Sequence, residues 1–221
     1  MNFLHRHVLA ALAMIGATAI AHAAGAGLAG DYHIHGQNPD GRSYEGALRI
    51  EQKGEVYGVT WDSGGTTHGV GILAGNQLVV GYGDQACGVL AYRREGAGTL
   101  EGIWAMRNST AVGHETATPS TSGGADVIGD YVVSGKNVDG TPYKGALFVN
   151  AGGDDRKLLF GWRTGQDSHG FGFTHQGVIV ATFGAPTCGL VTYTLGADGS
   201  LDGRWSTLHG GFGSEQAKKI D

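Results

Sequence analysis

The chain is poor in most of the features that announce a function. Among its 221 residues there are only two cysteines and four prolines. Neither cysteine has a Cys-x-x-Cys partner, which argues against redox catalysis. The scarcity of proline argues against a Pro-rich stalk. Lys and Arg never cluster beyond a pair and the formal net charge is −5, so the basic stripe of a nucleic-acid footprint is missing. Apolar residues at helical spacing are nowhere sustained over about ten residues. There is no Gly-x-Ser-x-Gly elbow, no His-Glu-x-x-His and no phosphate-cradling loop ahead of a helix. No signature of a cofactor is present either. An enzyme is therefore not the leading expectation.

What the chain has in excess is glycine, 42 residues without a Gly-X-Y period. Short glycine runs between β-branched and aromatic residues suit tight hairpins and crowded barrel positions. The chain also repeats itself. Gly30 to Ile50 reads GDYHIHGQNPDGRSYEGALRI, and Gly129 to Val149 reads GDYVVSGKNVDGTPYKGALFV. Further on, Trp61, His68, Cys87, Tyr92 and Trp104 each recur 101 positions later as Trp162, His169, Cys188, Tyr193 and Trp205. The sequence is a tandem duplication.

Residues 1–23 read as a secretory signal peptide: Arg6 with flanking histidines, an apolar run from Val8 to Ala21, and a small-x-small site at Ala21-His22-Ala23. The apolar run is shorter than the roughly 20 residues needed to cross a bilayer. The expectation is a periplasmic or secreted bacterial protein with no membrane span after cleavage.

In the mature chain, period-2 alternation dominates. Tyr44, Gly46, Leu48 and Ile50 share one face, as do Tyr57, Val59 and Trp61, and Leu100, Gly102 and Trp104. Turn signals such as Pro39-Asp40-Gly41, Ser63-Gly64-Gly65 and Val138-Asp139-Gly140 fall between these runs. The pattern predicts an all-β chain with two antiparallel meander units of about eight short strands each, small barrels or sandwiches related by a pseudo-two-fold. The repeats cover residues 27–118 and 127–218, and the small, polar, turn-rich stretch between them predicts a linker at 119–126.

The combination Gly-Asp-Tyr, Asn-x-Asp-Gly-x-x-Tyr-x-Gly-x-Leu and a closing Gly-x-Trp resembles a group of uncharacterised secreted bacterial repeat proteins. It covers both copies and implies no settled activity. The tail Ser109 to Glu115 is also similar to the closing strand of avidin-like and lipocalin-like barrels, whose interiors are lined by tryptophan. That resemblance implies a small meander barrel.

Several residues are candidates for chemistry. Cys87 and Cys188 occupy equivalent places, and an exported pair suggests a disulfide between the repeats; a bond between chains and two buried thiols are the alternatives. Alternation puts His68 on the face of Val70 and Ile72, and His169 on the face of Phe171 and Phe173. They are candidate ligand contacts near Trp61 and Trp162, although such histidines also serve at barrel rims. His33 and His35 share a strand face with Asp31, a spacing that suits a metal ion, or simply a solvated face. The acids that recur between the repeats, among them Asp40 and Asp139, show no spacing that pairs them for acid–base work. The four tryptophans, with Tyr44, Tyr92, Tyr143 and Tyr193, either line a ligand cavity or form the core. The functional expectation is an exported, non-enzymatic binding protein for a small apolar molecule or a protein partner. The alternative is an interaction module of the bacterial envelope without a cavity, and a metal-binding protein or enzyme comes third.

Overall fold

The computed structural model describes residues 27–121, 126–153 and 156–220. The expected signal peptide, residues 1–23, and part of the expected linker lie outside them. The first repeat forms β1 (Gly30–Gln37), β2 (Ser43–Lys53), β3 (Val56–Asp62), β4 (Thr66–Ala74), β5 (Gln77–Tyr82), β6 (Gly88–Arg94), β7 (Leu100–Met106) and β8 (Gly113–Pro119). The second forms β9 (Gly129–Lys136), β10 (Pro142–Ala151), β11 (Leu158–Arg163), β12 (Asp167–His175), β13 (Val178–Phe183), β14 (Gly189–Leu195), β15 (Leu201–Thr207) and β16 (Phe212–Lys219). Among the described residues no helix is long and apolar enough to cross a membrane.

All neighbouring strands pair antiparallel, and they close into two eight-stranded barrels. The barrels do not follow the repeats. The first contains β1 to β5 and then β14 to β16, while the second contains β6 to β13. Each barrel thus takes five strands from one repeat and three from the other. Except at β5–β6 and β13–β14, where the chain changes barrel, consecutive strands pair as a simple meander, so the second barrel is one segment inserted between β5 and β14 of the first. The repeat boundary is one of sequence, and the barrel walls are drawn across it.

The motif that opens each repeat closes one end of a barrel. Tyr32 is fully buried and its hydroxyl donates to the Leu28 carbonyl at 2.6 Å, and Tyr131 does the same to Val127 at 2.8 Å. At the opposite end the Asn-x-Asp-Gly turns form the lip. Gly41 and Gly140 take φ of 86° and 82°, where a side chain would strain the turn. Asp40 and Asp139 accept the backbone N–H of Arg42 at 3.1 Å and Thr141 at 2.9 Å.

A third apolar cluster lies between the barrels, where Val70, Ile72, Val79 and Leu190 of the first meet Val89, Phe171, Phe173 and Val180 of the second. The strands at this junction are consequently buried on both faces, which explains runs such as Leu78-Val79-Val80 and Val178-Ile179-Val180 that break the alternation. The chain crosses between barrels twice, at 83–87 and 184–188. Cys87 and Cys188, one at the end of each crossing, are joined by a disulfide with Cα atoms 5.6 Å apart.

Candidate functional site: an aromatic mouth with a carboxylate floor

The inner wall of each barrel follows from cross-strand pairing of aromatic residues with glycine. Tyr44 pairs directly with Gly36, Trp205 with Gly213, Tyr193 with Gly203 and Tyr82 with Gly189. A Cβ at Gly36 would lie 2.2 Å from Tyr44 Cζ, and one at Gly213 would lie 2.3 Å from Trp205 Cε2. Each ring therefore lies flat across a strand that carries no side chain. The second barrel repeats the arrangement with Tyr143 on Gly135, Trp104 on Gly113, Tyr92 on Gly102 and Phe183 on Gly88.

These rings surround a glutamate that projects inward from the last strand of each repeat. In the first barrel Glu215, only 4% exposed, accepts the indole N–H of Trp61 at 3.0 Å and the Tyr193 hydroxyl on Oε1, and the Tyr44 hydroxyl at 2.8 Å on Oε2. In the second, Glu115 accepts Trp162 Nε1 at 3.1 Å and the Tyr92 hydroxyl on Oε1, and the Tyr143 hydroxyl at 2.8 Å on Oε2. Burial pushes the Glu115 carboxyl above its usual range, against the opposing pull of the Tyr92, Tyr143 and Trp162 hydrogen bonds. Burial and the nearby carboxylates in turn push the hydroxyls of Tyr44, Tyr92, Tyr143 and Tyr193 upward.

Above each carboxylate is a cavity. The first has a volume of about 260 Å³ and is bounded by Tyr44, Trp61, Tyr82, Tyr193 and Trp205, with Asn38, Ser63 and Thr67 at its lip. The second, about 170 Å³, is bounded by Trp104, Tyr143, Trp162 and Phe183, with Asn137, Thr164 and Ser168 at its lip. The linings differ at four equivalent places: Leu90 and Thr164 are larger than Val191 and Ser63, while Ser168 and Phe183 are smaller than Thr67 and Tyr82. Trp61 and Tyr82 rings sit 5.6 Å apart at 57°, and Trp162 and Phe183 sit 5.8 Å apart at 58°.

Two donors distinguish the first cavity. Trp104 Nε1 donates to the Tyr143 hydroxyl at 3.0 Å, whereas the equivalent Trp205 Nε1 is buried without completing a hydrogen bond. Tyr82, which replaces Phe183, also brings a hydroxyl that makes no hydrogen bond among the described residues.

The sequence candidates divide accordingly. Trp61 and Trp162 stand in the two cavities. His68 and His169 do not join them: both are exposed on the outer wall, where His68 Nδ1 lies 3.1 Å from Thr60 Oγ1. Their alternation with Val70, Ile72, Phe171 and Phe173 is correct, but that face is the outside of the barrel, buried further along only by the other barrel. His33 and His35 are also exposed on the outer wall, and Asp31 is paired with Arg49 at 2.7 Å. Among the described residues no group of three His, Cys, Asp or Glu is placed to hold a metal ion. The tryptophans and tyrosines offered as either cavity or core are both at once, since Trp61 and Tyr193 belong to the core cluster as well as to the cavity wall.

Glu115 and Glu215 escape a reading of the repeat at constant offset. Trp104 and Trp205 are 101 positions apart, but one residue fewer separates Trp205 from its Gly-x-Glu, so Glu115 matches Glu215 at an offset of 100. The signal that finds them is Gly113-His114-Glu115 against Gly213-Ser214-Glu215.

No protein-family model, curated protein or solved structure matches the chain.

Proposed function

We propose that the chain is an exported, non-enzymatic binding protein whose two barrels each take a small organic molecule into the aromatic mouth. The observation that supports this reading most directly is the duplicated cavity: two barrels preserve the same ring, lip and carboxylate positions around an unfilled space. Rings and glycines alone would serve a core, but here they leave a solvent-open mouth at the same place in both barrels. The walls are apolar and carry a few convergent polar groups, as small-molecule sites do. Both volumes lie at or below the lower end of the roughly 300–1,000 Å³ common for drug-sized ligands, so the occupant is small.

The test is native mass spectrometry on protein purified from the periplasm without denaturation, repeated after denaturation. The expected result is a mass excess of up to two small molecules per chain that disappears on unfolding. All four tryptophans belong to the two sites, so intrinsic fluorescence provides an independent readout of occupancy. A bare native mass, with fluorescence unresponsive to added small molecules, would favour the envelope interaction module instead.

A further inference from the structure

The ligand class follows from counting acceptor positions on the buried glutamates. A carboxylate offers about four lone-pair positions, two on each oxygen. Glu215 fills two on Oε1, with Trp61 and Tyr193, and one on Oε2, with Tyr44. Glu115 fills the same three, with Trp162, Tyr92 and Tyr143. One acceptor position on Oε2 therefore remains in each barrel, and both glutamates line their cavities. All three donors to each carboxylate are neutral. No Lys, Arg or His lines either cavity among the described residues, so the carboxylate charge lacks a counterion. The faces of the surrounding rings are electron-rich and favour a cation beside them.

From this geometry we infer that each barrel mouth binds the protonated amino group of a small organic amine, one N–H reaching Oε2 of Glu215 or Glu115 and the alkyl part resting on the rings. The inference rests on the ligand-binding reading above and narrows it. A cation supplies the missing counterion, fills the open acceptor position with a charge-assisted hydrogen bond and gains cation–π contact in one step. A neutral apolar molecule gains only burial, and an anion meets the carboxylate as a like charge. The formal net charge of −5 adds a general attraction for cations. In the first barrel, Trp205 Nε1, buried beside the Tyr44 hydroxyl without completing a hydrogen bond, and the Tyr82 hydroxyl, which bonds no described residue, are further donors at the same cavity. They suit an amine that also carries an acceptor oxygen, which makes the first site the more demanding of the two.

The experiment is calorimetric and fluorescence titration of the full mature protein with butylammonium, 1-butanol and butyrate, probes of nearly equal size that differ in charge. Butylammonium is expected to bind about tenfold or more tightly than 1-butanol, with two sites per chain, and butyrate not at all. Glu215→Gln removes the charge while keeping the side-chain size, and should reduce the high-affinity amine sites from two to one. Glu115→Gln with Glu215→Gln should remove the preference for the amine over the alcohol.

Should the variants fail to fold, the unsubstituted protein still decides. Glu115 faces Tyr92 and Tyr143, Trp162 and Trp104, and Glu215 faces Tyr44, Tyr82, Tyr193, Trp61 and Trp205, none of them cationic. Amine binding should therefore weaken on acidification as Glu115 takes up a proton, while 1-butanol binding stays level. Equal affinity for amine and alcohol overturns the cation and leaves a binding protein for neutral molecules, and an amine preference that survives the double substitution overturns the assignment of the ammonium to Glu215 and Glu115. Absence of binding by all three probes, together with a bare native mass, overturns both readings.

Discussion

At the scale of single residues, two tyrosine hydroxyls in the same cavity have opposite energetic roles. The Tyr193 hydroxyl donates to Glu215 and accepts from Trp61 Nε1 at 3.1 Å, all of it buried. Tyr193→Phe leaves a buried carboxylate short of one donor, and a buried polar group deprived of a partner costs about 1–3 kcal/mol. The Tyr82 hydroxyl makes no hydrogen bond to lose among the described residues. Tyr82→Phe, which reproduces the Phe183 of the second barrel, should stay within about 0.5 kcal/mol in a denaturant melt. If Tyr82→Phe proves as costly as Tyr193→Phe, the free-donor assignment is wrong. Glu115 makes a pH prediction of definite sign. Burial raises its folded pKa above the ordinary value of 4.5. Between 4.5 and the folded value, the unfolded chain has released a proton that the folded chain retains, so stability falls as pH rises through that window. Glu115→Gln should abolish this loss. Melts of both proteins across the window, compared as a difference, isolate it from the exposed aspartates.

At the scale of strands, glycine spacing has the same weight as aromatic spacing. Each ring of the cavity wall depends on a bare position directly opposite it on the next strand. Gly213→Ala puts a methyl 2.3 Å from Trp205 Cε2, and overpacking of this kind typically costs about 1–3 kcal/mol. It should also displace the indole and alter tryptophan emission. Gly65→Ala, in the β3–β4 turn, meets nothing within 4 Å and should change neither. Strand positions were legible in the sequence because alternation and turn glycines act locally: the alternating face from Tyr44 to Ile50 lies within β2, and that from Leu100 to Trp104 lies within β7. The faces were less legible. Alternation groups His68 with Val70 and Ile72, but it does not distinguish the inside of a barrel from an outside covered by another barrel. The site was legible by half. Trp61 and Trp162 stand out as large residues at equivalent places, whereas the glutamates are hidden behind a one-residue deletion and become neighbours of the rings only when β16 closes on β1 and β8 on β9.

At the scale of the whole molecule, the exchange of strands decides what the disulfide contributes. Cys87 and Cys188 span 101 positions of sequence. A cross-link closing a loop of about 100 residues is worth up to roughly 4.7 kcal/mol if the loop is otherwise open in the unfolded chain. The loop here is the second barrel itself. Its first and last strands pair, with Gly88 opposite Phe183, so once that barrel has formed the cysteines are already neighbours. The loop that remains to be closed runs only through residues 87–88 and 183–188, and a loop of about eight residues is worth about 2.5 kcal/mol. Replacing both cysteines by serine should therefore lower the stability of the first barrel by about 2.5 kcal/mol rather than about 4.7 in a guanidinium transition, provided that the second barrel folds first. The proviso has its own test, because residues 88–183 are an unbroken meander. Expressed alone, that segment should give a cooperative β-sheet melt and should self-associate, since excision exposes Val89, Phe171, Phe173 and Val180 from the junction. An unfolded segment would mean that neither barrel forms without the other; the disulfide would then close an open loop of full length, and the larger cost would be the one measured.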